Sequence, residues 1–578
     1  MTARIFTLIA FLSFSVMLAA QICPAPSAII EFEPNEVRSK LSHGGSLWWD
    51  KNDAGFAIPK RDQRAFDVHA FFAAGLWVGG FDPGGNLKLA TATYGQSNGT
   101  VDYWAGPLDV STAGTNQTNC INWDKFFRIK KSEVDQHLDF LQQAQSGSFN
   151  YTKDQIPAAV KAWPANGNPY FEETNGFSMP QNNTSFTDFF DKNGNGLYEP
   201  LDGDYPALHH SNCNNYVVPA EMIYWVFNDN GGLHQESQAD PIGAEFHALA
   251  FAFNTGTTLD YSQFYRYKLV NRAIENISDT RIGLWTDPDL GCYTDDYLGC
   301  DTIRSLMYVY NEDAIDGDVG STCSGGVNTY AQDIPIVGID MLGVNSTNPS
   351  LNIRTMDVFG YYEANSPIVP RPISAIQNFN VLNGLKADGQ PFLNPDGKPT
   401  SFVYYDAPDC SSQNCWSMCN DNLQQEDRRA VFSTGKFTLT PGEEIELYFA
   451  TVFAPSQEYP CPNLDEFWNA DDLVQAAYDN CFENLTSRTT NIDNKAQVKI
   501  YPNPASLVNK ELTIEGLKQG DLIQLFDISG RLVMEEKTTN TNKFKLDYSE
   551  GLVTAGIYFV HVQRDNKLLE TAKLVVIR

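Results

Sequence analysis

Ile223-Tyr224-Trp225-Val226-Phe227 is a run of β-branched and aromatic residues that ends at the segment Asn228-Asp229-Asn230-Gly231-Gly232. β-Branched and aromatic residues favour extended strands, whereas Asn, Asp and Gly favour tight turns. Similar apolar runs occupy Ala244–Phe253 and Phe264–Val270, and Phe437–Ala450 contains two such runs around a Pro-Gly turn. Strands and turns in this serial order predict antiparallel sheets.

The predicted fold class is therefore mainly β. We expect an antiparallel β-sandwich body of one or more subdomains, a few packing helices and a small C-terminal immunoglobulin-like β-sandwich. The composition agrees, because 42 Gly and 30 Pro in 578 residues favour short strands joined by tight turns. One helix is predicted with Ser132 as its N-cap and Val134, Leu138 and Leu141 on its apolar face. The apolar periodicity of Leu464–Cys481 predicts a second.

Residues 1–20 are predicted to be a signal peptide. Arg4 supplies a positive charge, Ile5–Met17 is a short apolar run, and small residues precede the expected cleavage point before Gln21. The run is shorter than the roughly 20 apolar residues that a membrane-spanning helix needs. No later stretch is apolar enough to cross a bilayer, so no transmembrane span is predicted.

All 11 cysteines follow the predicted cleavage point. Export leads to an oxidising compartment, in which we expect most of them to form disulfides. Because 11 is odd, at least one cysteine is left unpaired. Cys292 and Cys300 flank a polar turn, and we expect these two to pair.

The formal net charge of −31 is unevenly distributed along the chain. The final 84 residues hold 12 basic and 10 acidic side chains, which leaves 28 basic and 61 acidic side chains before them. An acidic body repels phosphate backbones, so we expect no nucleic-acid partner. The same charge is compatible with calcium binding and with simple solubility outside the cell.

The composition changes near the C-terminus. Residues 21–485 are predicted to form the β-rich extracellular body, and residues 486–494 are predicted to be a linker because they are polar. Residues 495–578 are predicted to be a separate domain. Apolar residues alternate with polar ones there, as at Leu512 and Ile514, and turn residues recur at short intervals. This pattern predicts a small sandwich of about seven strands.

Four blocks of this C-terminal segment carry a resemblance to a known family. They are Tyr501-Pro502-Asn503-Pro504, Phe526–Arg531, Gly556-Ile557-Tyr558 and Lys573–Val576. Together they resemble the type A C-terminal sorting domain of the type IX (Por) secretion system of Bacteroidota. The resemblance implies Sec export, passage through the outer-membrane translocon, and removal of the domain by a sorting protease. It places the mature protein outside the cell or on the outer-membrane surface.

Parts of the body resemble uncharacterised proteins that are exported by the same route. The corresponding blocks are Ala74–Gly80, Asp191–Pro206, Asp287–Asp301 and Asp427–Arg429. This second resemblance implies no activity. The sequence contains no H-E-x-x-H, Walker A, G-x-G-x-x-G or G-x-S-x-G motif, which favours a non-enzymatic body without deciding the question.

A segment that starts at Asp191 has the spacing of a calcium-binding loop. Its oxygen-bearing side chains at positions one, three, five and twelve are Asp191, Asn193, Asn195 and Asp202, and Leu197 at position seven offers its backbone carbonyl. Calcium takes six to eight oxygen ligands, and this spacing wraps a short loop around one ion. We expect a structural role for the ion. The alternative is an Asn-Gly turn without an ion.

A second acidic cluster follows in the sequence. Its five carboxylates are those of Asp287, Asp289, Asp295, Asp296 and Asp301. So many carboxylates in a short segment cannot all remain ionised at low cost without a cation, which predicts a second calcium site. The alternative is a glycosidase site, which needs one carboxylic acid in an apolar pocket and a second, ionised carboxylate.

Two functions from different classes remain at this stage. The first is a secreted or cell-surface binding, adhesion or structural module with calcium-stabilised loops, whose ligand is surface lipopolysaccharide or an extracellular glycan or protein. The second is an extracellular hydrolase that acts on polysaccharide or protein. The sequence favours the first, because it lacks catalytic signatures and combines aromatic with acidic residues.

Overall fold

The computed structural model describes residues 23–95, 99–180, 186–410, 415–455, 457–483, 485, 499–501, 505–506, 511–515, 517–527, 531–538, 543–547, 553, 556–564 and 567–577. The chain divides into two compact units, Met1–Arg488 and Thr489–Arg578. The predicted signal peptide (1–20) and linker (486–494) lie outside the described residues. Both therefore stay predictions.

The first unit is built mainly from strands, which are β1 (Ile29–Phe32), β2 (Arg38–Ser42), β3 (Ser46–Leu47), β4 (Phe56–Ala57), β5 (His69–Phe81), β6 (Leu87–Ala90), β7 (Trp104–Ala105), β8 (Phe127–Lys130), β9 (Phe189–Phe190), β10 (Tyr205–Pro206), β11 (Leu208–His209), β12 (Tyr216–Val217), β13 (Glu221–Asn228), β14 (Ala244–Ala252), β15 (Phe264–Asn271), β16 (Ile277–Pro288), β17 (Asp296–Asp301), β18 (Leu306–Asn311), β19 (Ile336–Ser346), β20 (Val358–Glu363), β21 (Phe392–Leu393), β22 (Pro399–Thr400), β23 (Arg428–Ser433), β24 (Phe437–Leu439) and β25 (Glu444–Ala454). Its α-helices are α1 (Gln117–Trp123), α2 (Lys131–Gln145), α3 (Ala158–Ala162), α4 (Phe171–Asn175), α5 (Ala375–Leu382), α6 (Met418–Asp421) and α7 (Asp465–Asp479). The described strands of the second unit are β26 (Lys499–Tyr501), β27 (Ala505–Ser506), β28 (Glu511–Glu515), β29 (Leu522–Asp527), β30 (Leu532–Lys537), β31 (Lys543–Asp547), β32 (Gly556–Arg564) and β33 (Lys567–Ile577).

Two large antiparallel sheets form the first unit. The first sheet has the strand order β1-β2-β3-β5-β16-β23-β20, with β4, β6 and β24 paired alongside. At its centre, Leu284 of β16 lies opposite Leu76 of β5 and Phe432 of β23. The second sheet has the order β17-β18-β19-β25-β15-β14-β13-β7, with β8 beside β13. The prediction of a mainly β, antiparallel fold with few helices is confirmed.

The strand that opened the sequence analysis lies inside the second sheet. Every residue of β13 is buried, because β8 and β14 pair with its two edges and other side chains cover both of its faces. Strands covered on both faces have nearly continuous apolar sequences rather than alternating ones. This explains why Ile223–Phe227 contains no polar residue in alternate positions apart from the hydroxyl of Tyr224.

The inner faces of the two sheets share one apolar core. Several hydrogen bonds cross this core between the sheets, and two of them join side chains. The indole Nε1 of Trp48 donates to the hydroxyl of Tyr265 over 2.9 Å, and Ser39 Oγ donates to Gln263 Oε1 over 2.7 Å. Each large apolar side chain buried in such a core contributes about 1.5–3 kcal/mol to stability.

The first sheet is also covered on its outer face. Trp77 of β5, Trp285 of β16 and Val431 of β23 are buried there against Phe379 and Leu382 of α5. Because side chains alternate along a strand, the same three strands supply apolar residues to both faces. This second cluster determines which side chains reach the outer edge of the sheet, where the candidate site lies.

The two predicted helices are present, but one begins differently from the prediction. In α2 the N-cap is Lys130, whose backbone N–H donates to Glu133 Oε2 over 2.9 Å, so Ser132 is not the cap. Its buried residues are Val134 and His137, whereas Leu138 is 36% exposed. His137 is buried because Tyr151 and the carbonyl of Asp204 satisfy its ring nitrogens. Helix α7 carries the predicted apolar face, and Cys481 lies beyond its end.

Five disulfides join loops and short helices of the first unit. They are Cys23–Cys120, Cys213–Cys481, Cys292–Cys323, Cys410–Cys415 and Cys419–Cys461. The predicted Cys292–Cys300 pair is wrong. Strand β17 carries Cys300 away from the turn that contains Cys292, since an extended chain advances about 3.3 Å per residue. Cys300 is the buried unpaired cysteine.

The terminal unit has its own core and two sheets. The orders are β26-β28-β31 and β27-β33-β32-β29-β30 among the described residues, and β27 pairs with β33 in parallel. Leu512, Ile514, Ile523 and Leu525 are buried in its core, as their alternation predicts. The carboxylate of Asp521 accepts two 2.7 Å hydrogen bonds from Arg564, which ties the start of β29 to the end of β32.

Two carboxyl groups meet in the interior of the first unit, where α7 packs on the second sheet. Asp340 of β19 is fully buried, and neither of its oxygens accepts a hydrogen bond. Burial, together with repulsion from Asp471 of α7, raises the pKa of Asp340 well above its usual value. Burial raises the pKa of Asp471 to about 7, although Arg304 lies 3.6 Å away and opposes the shift.

These shifts predict a pH-dependent stability. An acid whose pKa is higher in the folded protein than in the unfolded chain holds its proton on folding, so stability falls as pH rises from about 4 through about 7. Asp340→Asn replaces one acid by a neutral amide that donates to Asp471. We expect it to raise the free energy of unfolding by about 1–3 kcal/mol at pH 8 and by less at pH 5. Thermal unfolding at both pH values measures this difference.

The matched control is Asp465→Asn, which changes an exposed acid in the first turn of the same helix. It should leave the difference between the two pH values unchanged. If the Asp340→Asn protein were less stable than the parent at pH 8, the burial of these two acids would not be the cause of the pH-dependent stability.

Candidate functional site

Charged and aromatic side chains gather where the outer face of the first sheet ends. Alternation along β16 places Trp285 and Asp287 on the same face. Strand β23 runs antiparallel beside β16 and brings Arg429 to this edge. Asp289 follows the end of β16, and Asp427 immediately precedes β23. Two strand termini therefore supply the charged residues of the site.

Three carboxylates converge around one guanidinium group. One oxygen from each of Asp287, Asp289 and Asp427 lies within 4.8 Å of the others. Arg429 Nε lies 3.1 Å from Asp287 Oδ1, and Arg429 Nη1 forms an ion pair with Asp427. Within the described part of the chain, no hydrogen bond or ion pair holds the carboxylate of Asp289. Its oxygens are therefore free to bind a further group.

The loop after β6 adds Tyr94 to this group. The loop lies tight against β5, because a Cβ on Gly75 would overlap the carbonyl oxygen of Ala92. Trp77 Nε1 donates to the same carbonyl over 3.2 Å. The hydroxyl of Tyr94 donates to Asp287 Oδ2, and Arg429 Nη2 donates to that hydroxyl over 3.2 Å.

Burial determines the electrostatics of the site. It raises the pKa of Asp287 to about 7, although the nearby Arg429 lowers it. Burial also raises the pKa of Asp289 well above its usual value, and repulsion from Asp287 and Asp427 adds to the shift. Although burial alone lowers the pKa of Arg429, Asp287, Tyr94 and Asp427 raise it above its usual value. The guanidinium is therefore permanently charged, whereas the carboxylates are costly to ionise together.

These residues line an open cavity of about 400 Å³. The remaining lining residues are aromatic, namely Trp49, Phe72, Tyr94 and Tyr293. Trp49 and Phe72 pack against the ring of Tyr94 at centroid distances of 5.7 and 6.2 Å. A concave site with aromatic walls and a few convergent charged groups is the usual form of a ligand site.

The five carboxylates predicted as one calcium site are divided among different environments. Asp287 and Asp289 lie in the cavity described above. Asp295 and Asp296 do not line that cavity; Asp295 Oδ2 accepts from the backbone of Gly317 over 2.8 Å and Asp296 Oδ2 from that of Leu290 over 2.9 Å. Asp301 forms an ion pair with Arg304 over 3.1 Å. The alternating directions of side chains on β17 separate residues that are neighbours in the sequence.

The sequence analysis missed three members of the site, which are Asp427, Arg429 and Tyr94. In the sequence, Asp427-Arg428-Arg429 stands out only as one of the blocks that resemble other exported proteins. The sequence does contain one indication of these residues, because an acid and two bases stand at the start of an apolar strand. Charged residues at the end of a strand often line a site. Nothing local to Tyr94 indicated that its hydroxyl meets Asp287, because that contact depends on the packing of a loop.

The other predicted calcium loop lies on the surface. Asp191 accepts hydrogen bonds from the backbone N–H groups of Gly194 and Gly196 over 2.7 and 2.6 Å. Asn193 and Asn195 each accept from the backbone two residues ahead. Glu199 Oε2 accepts from the side-chain amide of Asn195 over 2.7 Å. Leu197 is 44% exposed, and Asp202 lies exposed in a 3₁₀ turn.

The comparisons with known proteins concern the terminal unit. Residues 499–577 match the family described as a secretion system C-terminal sorting domain. The terminal unit is a type IX secretion sorting domain. The protein that carries this sorting domain is type IX cargo, and the domain directs it to the cell surface or the extracellular space. No described helix is both long and apolar enough to span a membrane.

Two solved structures are similar to parts of the chain. One is PorZ, an essential bacterial surface component of the type IX secretion system of Porphyromonas gingivalis, with 26% identity over 15% of this chain and a TM-score of 0.14. The other is a polysaccharide lyase, with 11% identity over 57% of this chain and a TM-score of 0.18. The chain spans 13% and 34% of these proteins. Such TM-scores carry no argument about the body. No curated protein matches the chain.

The sorting domain makes export testable. Deletion of residues 489–578 should abolish the appearance of the protein at the cell surface and in the medium, because the export machinery recognises this domain. The body has its own core, so it should remain folded and be retained inside the outer membrane. Cell fractionation with protease accessibility measures both. Undiminished surface display of the truncated protein would contradict the assignment.

Proposed function

We propose that the protein is a secreted or cell-surface binding protein of the Bacteroidota whose body holds calcium and uses it to bind an extracellular ligand. It is exported with a signal peptide at residues 1–20 and a type A sorting domain, which the sorting protease removes. Asp287, Asp289 and Asp427 are the calcium ligands. The observation that carries this proposal is the convergence of three carboxylates at the wall of an aromatic cavity.

The spacing of the oxygens suits one ion. Two oxygens bound to the same calcium at 2.3–2.6 Å lie no more than about 5 Å apart. One oxygen from each of the three carboxylates lies within 4.8 Å of the others. Because calcium takes six to eight oxygens, these carboxylates leave coordination positions for water or for hydroxyl groups of a ligand in the cavity.

The charge balance also favours a divalent cation. When all three carboxylates are ionised, the single guanidinium of Arg429 leaves two negative charges without compensation. Without a cation, the protein must hold protons in this site, as the raised pKa of Asp289 indicates. A calcium ion supplies the missing charge and makes the ionised state favourable.

The same geometry argues against the hydrolase alternative. The two carboxyl groups of a glycosidase flank the scissile bond at about 5–5.5 or 6.5–9.5 Å from each other. Here one oxygen from each of the three carboxylates lies within 4.8 Å of the others at one wall of the cavity, and two of the carboxylates pair with the same arginine, so they do not face each other across a bound sugar. Turnover of glycans or peptides by the full chain would restore the alternative.

A calcium titration tests the site directly. In the full chain we expect Asp289→Asn to weaken one class of calcium sites at least about tenfold, because it removes a charged ligand that no other described group holds. Isothermal calorimetry on chelator-treated protein measures the change. The matched control is Asp396→Asn, whose side chain is 63% exposed and remote from the cavity. Isotherms that coincide for the parent and Asp289→Asn would contradict the proposal.

The loop at Asp191, with Asn193, Asn195, Leu197 and Asp202, is proposed as a second, structural calcium site. Asp191→Ala alone is not decisive, because Asp191 also caps the turn through two backbone hydrogen bonds. The informative quantity is the rise in melting temperature that calcium produces. We expect that rise to be smaller in Asp191→Ala than in the parent, in differential scanning calorimetry with and without chelator. An equal rise in both proteins would leave the loop as a turn without an ion.

A further inference from the structure

Three cavities of the body join into one groove. The carboxylate cavity shares Phe72, Asp289 and Tyr293 with a second cavity of about 550 Å³. The second cavity shares Gly326, Val327 and Asn328 with a third of about 560 Å³. The groove therefore runs from the carboxylates, past the shared aromatic residues, to the loop that follows Cys323.

The size of the groove indicates a chain-like ligand. Pockets for single small molecules measure about 300–1,000 Å³. Each cavity alone has such a volume, so the three together exceed what one small molecule fills. Because they are joined end to end through shared residues, they suit a ligand made of repeating units.

Aromatic side chains stand in each part of this groove. Tyr94 lies at the carboxylate end, Phe72 and Tyr293 lie at the first junction, and Phe66 lies in the third cavity. Phe66 is 61% exposed, which is unusual for a phenylalanine in a folded domain. The face of an aromatic ring is electron-rich and attracts the C–H groups on the apolar face of a sugar ring.

The polar side chains of the second cavity are held in fixed positions. Arg38 Nε donates to Glu33 Oε2 over 2.8 Å, and its Nη1 pairs with Asp67. Arg64 lies 3.0 Å from Glu33. The side-chain amide of Asn328 donates to the carbonyl of Asp67 over 2.9 Å. Preorganised donors and acceptors of this kind suit hydroxyl groups, since they lose little conformational entropy when a ligand binds.

The charge of the groove indicates which class of polymer it can bind. Three of its basic residues, Arg38, Lys40 and Arg64, form ion pairs with carboxylates. Over the three cavities together, six carboxylates line the groove against five basic side chains; the acids are Glu31, Asp53, Asp67, Asp287, Asp289 and Asp427, and the bases are Arg38, Lys40, Arg61, Arg64 and Arg429. No surplus positive charge is available among these residues for an anionic polymer. A bound peptide would instead need a free strand edge or apolar pockets for alternate side chains.

We infer that the groove binds a linear, uncharged polysaccharide, with one sugar at the carboxylate cavity and further sugars extending toward Phe66. The inference rests on the proposed function for the calcium ion, which coordinates hydroxyl groups of the terminal sugar. The aromatic residues and the ion-paired polar groups bind the remainder of the chain without the ion.

The test uses the full chain and a series of neutral gluco-, xylo- and manno-oligosaccharides of increasing length, with calcium present. Affinity should rise with length for at least one series. Phe66→Ala should remove that gain, about tenfold or more, for the long oligomers and leave the shortest unchanged. Tyr293→Ala should weaken the binding of long and short oligomers alike, because Tyr293 lies at the junction of the carboxylate cavity and the second cavity. The matched control is Tyr216→Ala, which changes a 39% exposed tyrosine that lines none of the three cavities.

The outcomes separate this inference from the proposed function. Calcium binding that depends on Asp289, without binding of any neutral oligosaccharide, would overturn the inference and keep the function. Oligosaccharide binding that survives chelation and Asp289→Asn but depends on Phe66 would support the groove and overturn the role of the ion. Binding of uronic-acid oligomers or extended peptides in place of neutral sugars would overturn the inference.

Discussion

The burial of β16 on both faces is the constraint on which the body depends. Ile282 and Leu284 enter the core between the sheets, while Trp285 enters the cluster beneath α5. Since a strand covered on both faces cannot shift by one residue without exchanging these two sets, its register is strongly determined. The position of Asp287 follows from that register, because it lies two residues beyond Trp285 on the same face. The candidate site is therefore an extension of the packing of the sheet.

The position of the site explains its unusual electrostatics. The apolar core fixes the strand that carries Asp287 into an aromatic environment. The packing of that strand therefore offsets the free energy needed to bury the carboxylate. Arg429 offsets part of that cost from the neighbouring strand. Asp289 and Asp427 add negative charge that one arginine cannot balance. A site with this imbalance differs from the buried pair of Asp340 and Asp471, which lines none of the three cavities.

Export and disulfide formation are consistent with each other in this protein. The sorting domain directs the protein out of the cell, where thiols are oxidised. The disulfides hold loops and short helices rather than strands, and Cys292–Cys323 closes the segment that leads to the groove. The sheets supply a scaffold, and loops closed by disulfides line the proposed groove, which is the usual division of roles between a scaffold and its loops.

The sequence by itself determined the fold class, the acidic character of the body and the sorting domain. These properties depend on local patterns: apolar runs such as Ile223–Phe227, alternation such as Leu512 and Ile514, and turn residues in between. It also identified Asp287 and Asp289 as candidate ligands. Only the tertiary structure decided that Asp427 lines the same cavity as these two, that Asp295, Asp296 and Asp301 do not line it, and that Cys292 pairs with Cys323. The physical reason is that adjacent residues of a strand point to opposite faces, whereas strand pairing and loop packing bring together residues that are far apart in the chain.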